Sequence, residues 1–174
     1  MERLDMEKLN QNLIGLFDKY GTDFRRALRE NKRLEYLQAL AVLRENLLEW
    51  YAFRPQGRLL QVGADSGALT ELFVRRLASV TVLDESEENL EVVRRRFQGR
   101  EGLSSAPACV RADLVSFAAR AGEEGRSFDY VTIAGTFSEQ YPKADQIAAA
   151  RSLLAPGGVL IVAACNPFGA KYLA

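Results

Sequence analysis

Residues 59–69 read LLQVGADSGAL, an apolar run followed by a turn with two glycines and the start of a helical pattern. The run 59–62 predicts a buried strand, and the helix is predicted to continue over residues 70–77. Glycines at such a junction let backbone N–H groups and the helix N-terminus approach a polar ligand closely. The Gly-x-x-x-Gly spacing lacks the full dinucleotide fingerprint, however, and a turn that merely connects strand to helix fits it equally well.

Beyond this stretch, strand and helix patterns alternate along the chain. We predict strands at 58–63, 79–84, 108–112, 128–134 and 158–165, and helices near 67–77, 87–98, 114–121 and 144–154. This alternation predicts an α/β domain with a parallel sheet and right-handed crossovers. Because residues 80–83 and 159–162 are almost continuously apolar, we expect strands covered on both faces, in a doubly wound sheet of five strands.

The N-terminal third has a different pattern. Residues 1–57 carry apolar side chains at helical spacing, which predicts two or three helices interrupted at Gly21. The sequence Arg54-Pro55-Gln56-Gly57 ends this region, because proline disfavours helix at the preceding residue. We therefore predict an N-terminal helical extension over 1–57 and a core domain over 58–174.

Composition excludes several classes of function. Lys plus Arg equals Asp plus Glu at 23 each, so no net field attracts nucleic acid or an acidic membrane, and a small or neutral partner is expected. The chain has no histidine, which excludes histidine-based hydrolase triads and histidine metal sites. We expect no metal. We expect neither a signal peptide nor a membrane span, because charged residues follow Met1 closely and no run approaches about 20 apolar residues. Cys109 and Cys165 lie in predicted buried strands, and together these features favour a reduced, cytoplasmic protein.

Two aspartates follow predicted strands at the edge where the glycine turn also lies. The Asp84 carboxylate, about twenty residues past the turn, can accept both ribose hydroxyls of an adenosine. The alternative is a cap on the helix that begins near Glu87, a role that Ser86 could also fill. Asp113 can meet an adenine edge or, equally well, cap the next helix.

A further turn precedes the fifth strand. Residues 153–161 predict a helix end, a tight turn and a buried strand, with the turn geometry set by Pro156 and the two glycines after it. This role is structural, because these residues touch no substrate.

Four features follow one another along the chain: the glycine turn after the first strand, Asp84, Asp113 and the turn at Pro156. In this order they resemble the class I S-adenosylmethionine (SAM) dependent methyltransferases over about residues 58–165. The resemblance implies a Rossmann-like fold and SAM as cofactor, with Gly63 and Gly67 near its methionine part, Asp84 on the ribose and Asp113 near the adenine amine. The cofactor-binding set that it implies is Gln61, Gly63, Ala64, Asp65, Gly67, Asp84, Glu85, Ala112 and Asp113. Residues 44–51 and 166–172 also resemble stretches that flank methyltransferase domains in bacterial glycan-assembly proteins.

The turn departs from the family pattern at two positions. Gln61 stands where the family usually has an acid, and Asp65 stands where it usually has glycine. Aspartate tolerates a positive φ, so Asp65 can supply the missing negative charge from a neighbouring position. Alternatively, its carboxylate repels that of the cofactor and weakens binding by about 1–2 kcal/mol, roughly tenfold.

The chain also ends at Ala174, nine residues after the predicted fifth strand, whereas the family's sheet continues through two more strands. The fifth strand is then an apolar sheet edge with unpaired backbone groups. We therefore expect a homodimer through that edge, or a longer chain.

The reaction is less well defined. Glu139 and Tyr141, after strand four, are candidates for proton handling or else solvated loop residues, and alignment alone suffices for many methyl transfers. Asn166-Pro167-Phe168 follows strand five rather than four, so we do not assign it a catalytic role.

The leading hypothesis is a SAM-dependent methyltransferase acting on an unidentified acceptor, with the N-terminal helices over the cofactor. The alternatives are an inactive assembly module and a NAD-dependent oxidoreductase, since Asp84 would serve an NAD ribose equally well.

Overall fold

The N-terminal part of the chain is helical, as expected. The structure, a computed structural model, describes residues 3–100, 106–135 and 137–164. The first elements are α1 (Arg3–Tyr20), α2 (Phe24–Glu30), α3 (Leu34–Leu40) and a 3₁₀ helix (Val42–Leu47). Gly21 ends α1 with φ +57°, and its N–H donates to the Phe17 carbonyl at 2.8 Å, a left-handed helix end that costs glycine little.

The remaining elements form a parallel, doubly wound sheet, which confirms the predicted fold class. The strands are β1 (Arg58–Val62), β2 (Ser79–Asp84), β3 (Ala108–Arg111), β4 (Phe128–Ala134) and β5 (Leu154–Ala163). The connecting helices are α4 (Ala68–Arg76), α5 (Glu87–Phe97), α6 (Leu114–Glu123) and α7 (Lys143–Ser152). The strand order is β3-β2-β1-β4-β5, and every pair of neighbours is parallel.

This order places a switch point between β1 and β4. The chain moves outward through β2 and β3 on one side of β1, and then through β4 and β5 on the other. The loops that follow β1 and β4 therefore diverge and leave a crevice at the carboxyl ends of the strands, where open α/β sheets bind ligands.

Both faces of the central strand are buried. Leu59 and Leu60 point to opposite faces, and each is fully buried. Leu59 joins the cluster that contains Phe73 of α4 and Leu90 of α5, whereas Leu60 joins the cluster that contains Phe117 of α6. A third cluster packs α1, α2 and α3 onto α5, so the N-terminal helices lie against the sheet's own helical layer.

The start of β5 differs from the prediction. Helix α7 ends at Ser152 and β5 begins at Leu154, four residues earlier than expected. The predicted turn lies within the strand as a bulge, because Leu154 pairs with Phe128 but Val159 pairs with Tyr130. Gly158 is required there, since a Cβ atom would lie 2.9 Å from the Ala155 carbonyl oxygen.

The expected burial was correct for β2 and wrong for β5. Val80, Val82 and Leu83 of β2 are buried, as expected for a strand covered on both faces. By contrast, β5 has one neighbouring strand, β4, among the described residues, and Val162 is 43% exposed. Cys109 lies on the other edge strand and is only half-buried, which also differs from the prediction, whereas Cys165 lies outside the described residues. Burial raises the pKa of the Cys109 thiol.

Within the three described ranges, every helix is too short or too polar to span a lipid bilayer.

Candidate functional site

A cleft of about 540 Å³ opens at the carboxyl ends of the strands. Its floor contains Val62 and Gly63 where β1 ends, Leu83 and Asp84 where β2 ends, and residues 111–114 where β3 ends. One wall is formed by side chains of α1, and the opposite wall by the loop after β4; the cleft-lining residues of these walls are Met6, Glu7, Asn10, Phe137, Ser138 and Gln140. A cleft of this size suits a small organic ligand.

Asp84 contributes a carboxylate to this floor at the end of β2. Its Oδ2 accepts a hydrogen bond from the Ala64 N–H at 2.7 Å, and its Oδ1 accepts one from the Ser86 N–H at 2.8 Å. The cap of α5 is Ser86 itself, whose Oγ accepts from the Asn89 N–H. The helix-cap alternative for Asp84 is therefore not what the structure shows, because Ser86 fills that role.

The turn after β1 is braced from within. Gln61 is buried; its Nε2 donates to the Gly63 carbonyl at 2.9 Å, and its Oε1 accepts from the Thr70 hydroxyl at 2.8 Å. Gly63 has φ +86° and lines the cleft with its backbone. An acid at position 61 could not donate to that carbonyl, so glutamine suits this local geometry.

Asp65 lies on the outer side of the turn. It has φ +47°, the left-handed conformation that aspartate tolerates. Its carboxylate forms an ion pair with Arg44 of the 3₁₀ helix, and the residue is not among those that line the cleft. Gly67, with φ +74°, faces α5, where a Cβ atom would lie 3.1 Å from Arg96 Cδ. The turn thus presents Gly63 to the cleft and packs its other residues elsewhere.

Arg96 holds the far side of the turn. Its side chain is 1% exposed, and Nη1 donates to the carbonyls of Ala39 at 2.8 Å and Ser66 at 3.1 Å. Nη2 donates to Glu71 Oε2 at 3.0 Å, and the guanidinium stacks over the Phe24 ring. Burial lowers the pKa of Arg96, and the Glu71 carboxylate opposes this effect. One buried cation therefore joins the N-terminal helices, the turn, α4 and α5.

The residues after β3 approach the same cleft. Asp113 caps α6 by accepting from the Ser116 N–H at 2.8 Å, so the cap alternative is realised, and the residue also lines the cleft. Partial burial raises the pKa of Asp113, but its hydrogen bonds from Ser116 outweigh this and leave it below the usual value. Ala112 lies beside it in the cleft lining, and its N–H donates to the Asp84 carbonyl.

Glu85 lies at the mouth of the cleft. It is exposed, and its Oε2 accepts from the Gln140 Nε2 at 2.9 Å, a bond that links the ends of β2 and β4 across the opening. Glu139 is exposed, and neither Glu139 nor Tyr141 is among the residues that line the cleft. A role for those two residues in proton transfer stays a prediction.

Gln146 was missed by the sequence analysis. It is 2% exposed, and its side-chain amide makes three hydrogen bonds with the loop after β4, to the N–H and carbonyl of Ser138 and to the carbonyl of Tyr141. It lies in an alanine-rich helix with no motif around it, so no local signal marked it. Asn10 and Asn89 were missed for a similar reason, because each acquires its partner only across the fold.

We expect Gln146→Leu to release this loop. The substitution keeps the side-chain size but removes three hydrogen bonds to backbone groups, which should lower the free energy of unfolding by about 1–3 kcal/mol. Hydrogen exchange at residues 138–141 should rise more than in β4. Gln98→Leu, at the end of α5, serves as a control, and equal exchange in both variants would contradict this role.

The described part of the chain contains no cluster of three or more His, Cys, Asp or Glu side chains that could hold a metal ion.

Comparisons with known proteins show which proteins this chain resembles. A protein family described as a methyltransferase domain matches residues 60–160. A ubiquinone biosynthesis O-methyltransferase of Saccharophagus degradans is 30% identical over 139 residues, which cover 79% of this chain and 56% of that protein. The chain spans about half the length of the relatives that it matches.

Two solved structures share the fold. The glycopeptide N-methyltransferase MtfA aligns with a TM-score of 0.53 and 25% identity over 68% of this chain and 50% of that one. A SAM-dependent methyltransferase from Thiobacillus denitrificans, solved with S-adenosyl-L-homocysteine, aligns with a TM-score of 0.52 and 22% identity over 75% of this chain and 48% of that one.

Proposed function

The chain belongs to the family of methyltransferase domains, and from this premise we propose that it transfers a methyl group from SAM to an acceptor. The family match covers residues 60–160 and confirms the resemblance on which this expectation rested. The observation that carries the proposal is the position of Asp84, a carboxylate at the end of β2 that lines the cleft beside Gly63. This is where a doubly wound fold recognises an adenosine ribose.

The groups around the cleft suit this cofactor. A carboxylate accepts hydrogen bonds from the ribose hydroxyls, and the partly buried side chain of Phe137 offers apolar contact surface for a flat adenine ring. When bound, SAM would supply a methyl group bonded to a positively charged sulfonium sulfur, which a nucleophile can attack as S-adenosylhomocysteine leaves. The chain's own contribution is to hold and orient the reactants and to exclude water from the cleft.

The nine predicted cofactor residues fall into two groups. Those that line the cleft, and for which we propose direct contact, are Gly63, Asp84, Glu85, Ala112 and Asp113. For the other four, we propose that they shape the turn without contacting the cofactor; these are Gln61, Ala64, Asp65 and Gly67.

Asp65→Gly should leave cofactor affinity nearly unchanged. Its carboxylate is paired with Arg44 and lies outside the cleft lining, so the positive charge of Arg44 offsets the repulsion between Asp65 and the cofactor carboxylate. We expect a change of less than about twofold in the dissociation constant of S-adenosylhomocysteine, because screened, paired charges contribute little at the surface. Isothermal titration checks this, and a tenfold gain in affinity would instead identify Asp65 as a repulsive group.

The N-terminal extension takes part in the cleft under this proposal. Met6, Glu7 and Asn10 of α1 line it, so we propose that residues 1–57 cover the cofactor and shape the acceptor pocket. Deleting α1 should therefore weaken cofactor binding without removing the β-sheet, an outcome to be checked by titration and circular dichroism.

Titration with SAM and S-adenosylhomocysteine tests the cofactor, with NADH as the contrasting ligand. We expect micromolar binding of the first two and none of NADH. A folded protein that gives no heat and no thermal shift at millimolar SAM would refute the proposal. Binding of SAM without turnover of any acceptor would favour the inactive-module hypothesis.

We further propose that β5 pairs with a strand of a second copy of this chain or with further residues of a longer one. The support is the edge position of β5 and the 43% exposure of Val162. If two copies pair, Val162→Lys should convert a dimer to a monomer in light scattering after gel filtration. A cytoplasmic location stays a prediction.

A further inference from the structure

The Asp84 carboxylate has a third partner besides the two backbone amides. Asn89 Nδ2 lies 3.2 Å from Asp84 Oδ1 and 3.3 Å from Asp84 Oδ2, so its amide nitrogen is nearly equidistant from the two oxygens. The Ala64 and Ser86 N–H groups each bind a single oxygen at a shorter distance. Asn89 therefore occupies the position from which one group can contact both carboxylate oxygens of Asp84.

That position is the one a vicinal diol needs. Two neighbouring hydroxyls bind a carboxylate by donating one hydrogen bond to each oxygen, and the Asn89 amide nitrogen already lies within hydrogen-bond distance of both oxygens. Because a carboxylate has only about four lone-pair positions, the diol and the Asn89 amide compete for the two that remain after the backbone bonds.

Asn89 is held in this orientation from α1. Asn10 Nδ2 donates to Asn89 Oδ1 at 2.8 Å, and Asn10 is 3% exposed. Asn10, Asn89 and Asp84 all line the cleft, so the chain of hydrogen bonds runs along its wall from the N-terminal helix to the floor.

We propose that Asn89 occupies the ribose subsite of Asp84 in the free protein and is displaced by the two ribose hydroxyls of the ligand. This inference rests on the proposed function, because it assumes that an adenosine ligand binds at Asp84. Asn89 then acts through Asp84 as a positioning residue that sets the affinity for a vicinal diol. Removing a contact that only the free protein makes destabilises the free state and shifts the equilibrium toward the bound one.

The test compares two ligands on two proteins. The ligands are S-adenosylhomocysteine and its 2′,3′-dideoxy analogue, which lacks both hydroxyls, and the proteins are the wild type and Asn89→Ala. We expect Asn89→Ala to bind S-adenosylhomocysteine about fivefold more tightly, the equivalent of one hydrogen bond, and to bind the dideoxy analogue with unchanged affinity. Glu91→Ala is the matched control, because Glu91 lies on the same helix and contacts arginines rather than Asp84.

A second variant covers the case in which Asn89→Ala does not fold. Asn10→Ala leaves the contact between Asn89 and Asp84 in place but removes its anchor, so the gain in affinity should have the same sign, a smaller size and the same dependence on the diol. If Asn89→Ala changes the affinity for both ligands equally, or weakens the binding of S-adenosylhomocysteine, the proposed role of Asn89 is overturned but the proposed function is not. Folded wild type that binds neither ligand would overturn the proposed function and this role with it.

Discussion

Asp84→Ala should weaken the binding of S-adenosylhomocysteine by roughly 30- to 150-fold, about 2–3 kcal/mol. The ribose hydroxyls would lose two hydrogen bonds to a charged acceptor, and such bonds are about twice as strong as neutral ones. Asp84 is also the only side chain of the described cleft floor that receives the N–H groups of both Ala64 and Ser86, so the turn after β1 and the start of α5 would lose their common anchor.

The loss of stability must be separated from the loss of affinity. Asp23→Ala offers a matched control, because Asp23 caps α2 by accepting from the Arg26 N–H and lies outside the cleft lining. Its substitution should cost about 1 kcal/mol of stability and leave the dissociation constant unchanged. For both variants, isothermal titration measures the dissociation constant and urea denaturation measures the free energy of unfolding. If Asp84→Ala binds within threefold of the wild type, the ribose is not recognised at this carboxylate.

Arg96→Met should lower the free energy of unfolding by about 3–5 kcal/mol, the largest stability effect that we expect from a single substitution. Methionine keeps much of the side-chain volume but leaves Glu71 without the buried Arg96 partner and the carbonyls of Ala39 and Ser66 without their donor. A buried charge that loses its partner is costly, because neither water nor another counter-ion takes the partner's place in the low-dielectric interior.

Arg95→Met provides the control on the adjacent residue. Arg95 is 39% exposed, and its ion pairs with Asp18 and Glu91 lie at the surface, so its loss should cost about 1 kcal/mol or less. Urea denaturation of both variants measures the difference. A loss below 1 kcal/mol for Arg96→Met would show that the network does not support the fold.

The same network predicts a dependence on pH. Burial acts to raise the pKa of Glu71, but Arg100 and Arg96 outweigh it and hold this pKa below its usual value. A carboxyl group with a lowered pKa contributes stability above its unfolded pKa of about 4.3, and this contribution is lost as the pH falls through the folded pKa. In Arg96→Met the stability deficit should therefore shrink as the pH falls through the lowered pKa of Glu71, because protonation of this carboxyl group removes its attraction to Arg96. A deficit that stays constant with pH would contradict this assignment.

Local pattern was sufficient for most of the fold. The alternation of short apolar runs with helical spacing predicted the five strands found in the described residues, since the periods of strands and helices are set by neighbouring residues. It also predicted Asp84 at the end of β2 and the glycine turn after β1, because a carboxylate or a glycine at a strand end acts through its position along the chain.

Tertiary structure decided what each of those residues contacts. The partners of Asp84 include Asn89, which is held by Asn10 at a separation of 79 residues, and the charge of Asp65 is neutralised by Arg44 at a separation of 21 residues. The exposure of β5 depended on which strand came to lie beside it rather than on its apolar sequence. Periodicity reports the conformation of a segment, whereas contacts between distant segments depend on how the layers pack, and no local signal carries that information.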